Sequence, residues 1–553
     1  MTIDEFLRIY PWPETRLGSE SRLESLWEFS LNVRVAELWP WLVDTSRFNR
    51  ALGLSKMEYE ERDGRLHGST VNAGFAQVWV EEPWQWVEGR SVIGERLYSQ
   101  GFAKSVRVVY DLSAIEGGQG TRLRVYFGWV PRNWFGRKLL KLSLPWLHKR
   151  YAAVLESVSS DVASGRPAIY IQKLESLDEH VEARIREFSD RMMERRLSSD
   201  SVRCLLNFVR TADEMDAHRL RVHELALQKG VDSDSLTKAC LHATRLGLLE
   251  MSWDVICPHC RGVRGATPSL NQVGANSSCE VCDIEFATDE ENAVEITFRI
   301  HPSVREVPEV FYCAAEPAGK RHIKFQQGVA GGEGVVASPE LSPGRYRLRL
   351  QGSEKYRMLE VTAEIEPESV EWSGSADGLV VIREGLDSKI RVGIGSSFRL
   401  SNQSDSEQTF VLEDAGWSDL ALRPGELFNR HDFRDLFGEE FLKTGVKLSV
   451  GNQVLLFTDV VGSTRFYAES GDSKAYSEIK GHFDEVFPII EKNRGAVVKT
   501  IGDAVMASFC DPVDALKASS EMHQCLHEGR KDLSVRIRIS LNMGPCIAVN
   551  LNT

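Results

Sequence analysis

The sequence predicts a multidomain α+β protein, and three observations carry that prediction. At 553 residues the chain exceeds what one hydrophobic core usually organises. Its apolar pattern switches repeatedly between a period of two and a period near 3.6 residues, so strands and helices fall into separate blocks. Ten of the thirteen tryptophans lie before residue 150, which sets the first block apart in composition. The 42% hydrophobic and 27% charged content is that of ordinary globular protein. No apolar run approaches the roughly 18 residues that a membrane span needs, so no integral membrane segment is expected. The opening "MTIDEFLRIYPWPETR" is acidic and lacks a basic flank or apolar core, which argues against a secretory signal and predicts a cytoplasmic chain. A net charge of −13 argues against nucleic acid as a partner.

After an N-terminal segment (1–22), residues 23–165 open with "WEFSLNVRVAELWPWLVDTSRFNR", an alternating strand followed by a helix. Alternation returns in "HGSTVNAGFAQVWVEEPWQWVEG" and "SVRVVYDLSAIEGGQGTRLRVYFGWV", and a long closing helix is predicted from about Trp134 to Ser159. A curved antiparallel sheet gripping that helix is the natural packing. The order is similar to the START-like helix-grip family, a resemblance that implies an apolar small-molecule ligand. Aromatics that merely fill a core are the competing reading. The stretch "RNWFGRKLLKLSLPWLHKR" is both basic and aromatic, which fits either an anionic membrane surface or simply the closing helix.

Residues 166–252 turn helical and charged. "SDSVRCLLNFVR", "MDAHRLRVHELALQKG" and "DSDSLTKACLHATRLG" are followed by the strand-like "LLEMSWDVI", an order that resembles a winged helix-turn-helix. Its third helix offers only Lys238, His242 and Arg245 to a groove, so an interaction or structural role is expected rather than DNA reading. In 253–293, "CPHC" and "CEVC" place Cys257, Cys260, Cys279 and Cys282 as two pairs able to converge on one tetrahedral ion, the spacing of a zinc ribbon. One structural Zn²⁺ is expected, with a redox pair as the alternative. The other six cysteines are scattered singly, and no disulfide is expected. Residues 294–430 hold short alternating strands between Gly, Ser, Asn and Pro turns, an antiparallel β-rich region. "HDFRDLFGEEFLKTG" opens a connector over 431–450.

The last block, 451–553, carries the sharpest chemistry. In "LLFTDVVGSTRF" a carboxylate, Asp459, sits at the end of an apolar strand, and "VGST" turns into a helix. An amphipathic helix, "AYSEIKGHFDEVFPIIEKNRG", leads to "AVVKTIGDAVMASF", two strands joined at a tight turn holding Asp503. A helix from Asp511 and the strand "LSVRIRISLNMG" complete a βαββαβ order, a ferredoxin-like fold. Neighbouring strands would let Asp459 and Asp503, with the Val460 carbonyl, share divalent cations. The amides of Val461, Gly462, Ser463 and Thr464 could face phosphate oxygens.

"LLFTDVVGST" followed by "VVKTIGDAVMASF" resembles the catalytic domain of class III adenylate and guanylate cyclases. The preceding order of regions is similar to bacterial cyclases with long N-terminal regions. The resemblance implies that Asp459 and Asp503 bind two Mg²⁺ or Mn²⁺ ions and that a dimer converts ATP to 3′,5′-cyclic AMP and pyrophosphate under N-terminal control. Lys499 matches the purine-reading position, where Lys favours ATP and Glu favours GTP. In the family, a second purine-reading residue and the Asn and Arg of the transition state lie in a segment that begins shortly after "NMGPCIAVN". The cyclase domain is therefore expected to be partial, and the chain inactive alone. The alternative is a regulatory or scaffold protein that keeps a degenerate cyclase domain; a transcription regulator built on the helical module and zinc ribbon comes third.

Overall fold

A computed structural model describes the chain apart from residues 14–20, 73, 116, 165–176, 280–281, 283, 291, 308–310, 315, 354, 376–377, 383–389, 417–419, 439–445, 464, 466–467, 469–470, 527–535 and 550–553. Two compact units emerge: Met1–Leu174 with Cys279–Ile284 and Glu309–Trp417, and Glu175–Ser278 with Glu285–Pro308 and Ser418–Thr553. The α+β character and the multidomain organisation both hold.

The first unit is built on one 13-stranded sheet. Leu23–Leu31, Thr121–Pro131, Ala103–Ala114 and Ser91–Gln100 follow one another as antiparallel neighbours. The sheet then passes through Gln85–Val87 to Ile323–Val329, Gln408–Asp414 and Gly344–Leu350. The sequence separates 23–165 from 294–430, whereas the backbone joins strands of both stretches in a single sheet. The reason is an edge. Gln85–Val87 is three residues long and leaves ladder groups unpaired, a liability that proteins cover. Ile323–Val329 covers it through Phe325↔Val87 and Gln326↔Trp86. Side chains reinforce the seam: Gln326 Nε2 donates to the Trp84 carbonyl at 2.7 Å and Trp86 Nε1 to the Ile323 carbonyl at 3.2 Å.

The closing helix, α1 (Trp134–Ala163), is capped by Asn133, whose side chain accepts from the Gly136 amide at 2.8 Å. Gly136 is required here because a Cβ would lie 2.3 Å from the Phe102 carbonyl oxygen. Leu140, Leu144, Leu147, Tyr151, Leu155 and Val158 form its inner stripe and pack into the aromatic core of the sheet. Sheet and helix enclose a cavity of about 190 Å³, lined by Trp84, Tyr110, Phe127, Trp129 and Tyr151 among others. Inside it Arg96 Nε lies 3.1 Å from both oxygens of Glu81, which also accepts from the Trp79 and Trp84 indoles. Residues 311–313 strap the cavity: the Met57 amide donates to the Phe311 carbonyl at 2.8 Å and Cys313 lies on the wall.

The second unit begins with helices Glu179–Glu194, Ser199–Thr211, Val222–Lys229 and α2 (Ser233–Leu246). A three-stranded sheet follows, with Leu249–Ile256 between Val263–Thr267 and Val294–Ile300. Two short helices, α3 (Pro424–Phe428) and α4 (His431–Leu436), come next in this unit, and α4 bears on α2. Two of the three groups expected to face a groove are engaged there: Lys238 Nζ is 3.0 Å and His242 Nε2 3.5 Å from Asp432. The last domain has β1 (Lys447–Val460), α5 (Asp472–Lys492), β2 (Ala496–Ile501), β3 (Ala504–Phe509), α6 (Pro512–Gln524) and β4 (Ile537–Val549). Its antiparallel sheet runs β2-β3-β1-β4, the order expected of βαββαβ. Val486 and Ile490 of α5 and Ala515, Ala518 and Met522 of α6 bury one face of it. No helix among the described residues is long and apolar enough to cross a membrane.

Candidate functional site

Strand β1 is longer than its apolar core because β4 pairs with it throughout, from Lys447↔Val549 to Val460↔Ile537. Alternation then sorts its residues. Leu456, Thr458 and Val460 are buried, whereas Phe457 and Asp459 point to the sheet's other, open face. Asp459 is 58% exposed and stands opposite Arg538, whose Nη1 is 4.0 Å from its Oδ2. Nothing in the local sequence marks Arg538, because only the register of β4 brings it across from Asp459. Thr458 holds that register on the other side, accepting the Val505 amide at 2.9 Å through Oγ1.

The ladder between β1 and β3 ends at Phe457↔Met506, and the chain reaches Asp503 three residues before Met506. Asp503 therefore sits on the turn beside the strand end that holds Asp459. Gly502 makes that turn with φ 63°, a conformation that side-chain-bearing residues rarely adopt. One oxygen of Asp503, Oδ2, is buried and has no hydrogen-bond partner. A buried acceptor left without a donor costs about 1–3 kcal/mol, more for a charged group. A cation would remove that cost, so this carboxylate and Asp459 fit a divalent ion.

After β1 the chain turns through Val461 and Gly462, with Gly462 at φ 74°, and Ser463 is helical. The Val461 amide is already committed, donating to the Arg536 carbonyl at 2.8 Å, so the amides left to face an anion begin at Gly462. Thr464 lies outside the described residues. Lys499 is exposed on β2, opposite Met506, which also faces Phe457; it thus shares the open face with Asp459.

The four cysteines converge. Sγ atoms of Cys257, Cys260, Cys279 and Cys282 all lie within 4.8 Å of one another, and all four residues are buried. Tetrahedral Zn–S bonds of about 2.3 Å set the sulfurs about 3.8 Å apart, so only a small contraction is required. The His259 amide donates to Cys257 Sγ at 3.4 Å and Arg264 Nη2 lies 3.8 Å from Cys260 Sγ, donors that offset thiolate charge. His259 thus serves the cluster through its backbone.

A feature the sequence hides is the junction carrying the last domain. Asn429, buried between α3 and α4, donates to Gln453 Oε1 at 2.6 Å and Cys510 Sγ at 3.0 Å, and accepts from Ser508 Oγ. Arg434 of α4 donates to the Val497 carbonyl of β2, the strand that carries Lys499. Trp253 of the three-stranded sheet meets Phe428 and Phe433 at ring distances of 6.0 and 6.2 Å. A lone Asn in a polar stretch has no periodic signature.

Residues 447–552 match the family described as Adenylate and Guanylate cyclase catalytic domain, and residues 189–310 match a family of unknown function (DUF5939). Similar solved structures include the adenylyl cyclase CyaB from P. aeruginosa, 24% identical over 19% of this chain and 62% of that one, TM-score 0.18. The guanylyl cyclase domain of the RhoGC fusion protein from the aquatic fungus Blastocladiella emersonii is 19% identical over 19% and 66%, TM-score 0.18. Zhui aromatase/cyclase from Streptomyces sp. R1128 is 14% identical over 27% of this chain and all of its own, TM-score 0.21. The chain spans 54 to 66% of the length of the cyclase structures it matches. No functionally curated protein matches it. Residues 447–552 are therefore a class III cyclase-like domain, placed after a four-cysteine cluster able to hold a metal ion.

Proposed function

We propose that the protein is an adenylate cyclase that converts ATP to 3′,5′-cyclic AMP and pyrophosphate, acting as a dimer under the control of its N-terminal regions. The observation that carries this reading is the pairing of Asp459 with a turn whose Asp503 keeps a buried, unpartnered oxygen. Asp459, Asp503 and the Val460 carbonyl would hold two Mg²⁺ or Mn²⁺. Bound there, the ions would supply activation of the ribose 3′-hydroxyl and neutralisation of the triphosphate. The chain's own groups do the rest. Amides of Gly462 and Ser463 take phosphate oxygens, and the Lys499 ammonium donates to adenine N1, a contact that guanine, protonated at N1, refuses. Arg538 partners Asp459 until a cation replaces it.

Dimerisation is supported by the open face, where Phe457 is 37% and Ile501 52% exposed beside Asp459 and Lys499. A second cyclase domain covering that face would bury both and close the site from water. The four-cysteine cluster would hold structural Zn²⁺ in a ribbon, and the cavity under α1 would take an apolar small molecule as in START-like folds. A cytoplasmic location accords with these roles.

The test is cyclic nucleotide formation by the native gene product with Mn²⁺ and either ATP or GTP. Product from ATP, lowered about 100- to 1,000-fold in Asp459→Ala, is expected. Turnover unchanged in Asp459→Ala, or product from GTP alone, would overturn the reading.

A further inference from the structure

Helix α1 has two apolar faces, and its packing uses only one. The inner stripe fills the core, while Trp134 is 77%, Phe135 41%, Leu142 67% and Trp146 50% exposed on the outside. A neighbouring hairpin extends the patch: Val71 is 61% and Phe75 48% exposed, and the Phe75 and Phe135 rings are 6.2 Å apart. Exposed apolar groups gathered over two elements mark an interaction surface rather than ordinary scatter.

Along the helix the charge has one sign. From Pro131 to Leu155 the sequence contains no Asp or Glu, in a chain whose net charge is −13. Arg137 and Arg150 are spent on backbone carbonyls, of Ser21 and Arg22 and of Ala51 and Leu52 respectively. Lys138, Lys141 and Lys149 are exposed and enter no ion pair among the described residues. Lysines interleaved with indoles are the composition of a helix lying in a bilayer interface, with rings at headgroup level and ammonium groups on lipid phosphates. The rings also run along about three turns of one helix instead of gathering in a pocket. A fluid surface moulds to such a row, whereas a folded partner would need a matching groove.

We infer that the outward face of α1, with the side chains of Val71 and Phe75, docks this protein on an anionic lipid bilayer. This goes beyond nucleotide chemistry and does not depend on it. The binding is peripheral: rings enter the interface and the lysines supply attraction that salt weakens.

Co-sedimentation of the full chain with phosphatidylcholine vesicles, with and without phosphatidylserine, tests it. Pelleting only with the anionic vesicles, reversed by salt, is expected. Lys138→Glu, Lys141→Glu and Lys149→Glu together should lower the partition about 100-fold, roughly fivefold or more per lysine. Trp134→Ser with Trp146→Ser should lower it at least tenfold while leaving circular dichroism and the melting temperature unchanged, and should remove fluorescence quenching by brominated lipid. No pelleting with anionic vesicles, or equal pelleting of the charge-reversed chain, would overturn the inference. So would a lipid-free dimer that Trp146→Ser dissociates, which would give this face to a second copy.

Discussion

Two of this protein's sheets, the 13-stranded one and that of the cyclase-like domain, solve the same problem in opposite ways. The 13-stranded sheet of the first unit is covered: α1 fills its concave side around a cavity, and a four-stranded sheet shares the core of Phe325, Trp372, Phe398 and Phe410. Among the described residues, the four-stranded sheet of the cyclase-like domain is covered on one face, by α5 and α6, and its candidate site lies on the other. The first sheet is packed against another element in each of its two parts and encloses a cavity. The second leaves Asp459 and Lys499 beside the exposed Phe457 and Ile501, and little stability resides on that side.

Substitutions can break or sharpen this contrast. The largest effect is expected at the four-cysteine cluster, which is able to hold a metal ion; bonds to such an ion would stand in for a packed face. Cys279→Ser, or a strong chelator, should abolish the metal content and unfold that segment, because structural zinc sites carry about 10–16 kcal/mol of apparent binding energy. Metal analysis and proteolysis would read both.

Next comes the covered sheet. Glu413 is fully buried, with Arg349 Nε at 3.0 Å, Arg347 also bonded to it and His322 at 3.7 Å. Glu413→Ala should cost about 3–5 kcal/mol, since it strands the buried Arg349 charge, and calorimetry should show a large fall in Tm. On the open face, Phe457→Ala and Ile501→Ala should change stability by about 0.5 kcal/mol or less. They should nevertheless weaken self-association in sedimentation experiments. Equal losses on the two sheets would remove the contrast.

The buried polar junction at Asn429 lies between these extremes. Asn429→Ala leaves Gln453, Ser508 and Cys510 without their shared partner, at a cost of about 1–3 kcal/mol. The smallest effect is acid dependence at Glu426. Burial alone would push its carboxyl up, but the His223 bond at 2.9 Å and Arg430 outweigh that and hold it below the ordinary value. A depressed carboxyl stabilises fully above its unfolded pKa, near 4.3, and that contribution fades as pH falls through the folded value. Glu426→Gln should therefore flatten the acid limb of a stability profile below about pH 4.

Much of the cyclase-like domain was legible because its signals are local. "LLFT" is apolar, the "GD" turn is tight, and Asp511 with Pro512 starts a helix; each appears where expected, as β1, the turn at Asp503 and α6. The front half of β1 was not legible, since "KLSVGNQ" is polar and takes strand form only through its pairing with β4. The same limit hid Arg538, which gains meaning from a cross-strand neighbour. In the first unit the alternating strands and the closing helix were readable, whereas the seam at Gln85–Val87 was not. Three residues carry no period, and the partner strand lies far along the sequence.

That seam also sets a timetable. The Trp86 side chain finds the Ile323 carbonyl across 237 residues of sequence. At about 5–20 residues per second, a ribosome needs roughly ten to fifty seconds to supply the missing strand. Throughout that interval the nascent sheet shows a bare edge and its cavity lacks the wall that Cys313 brings. Long-range pairing of this kind is slow to form and prone to wrong partners. Synthesis of this protein thus has a vulnerable interval, one in which the fold itself does not yet keep the first strands apart from their neighbours.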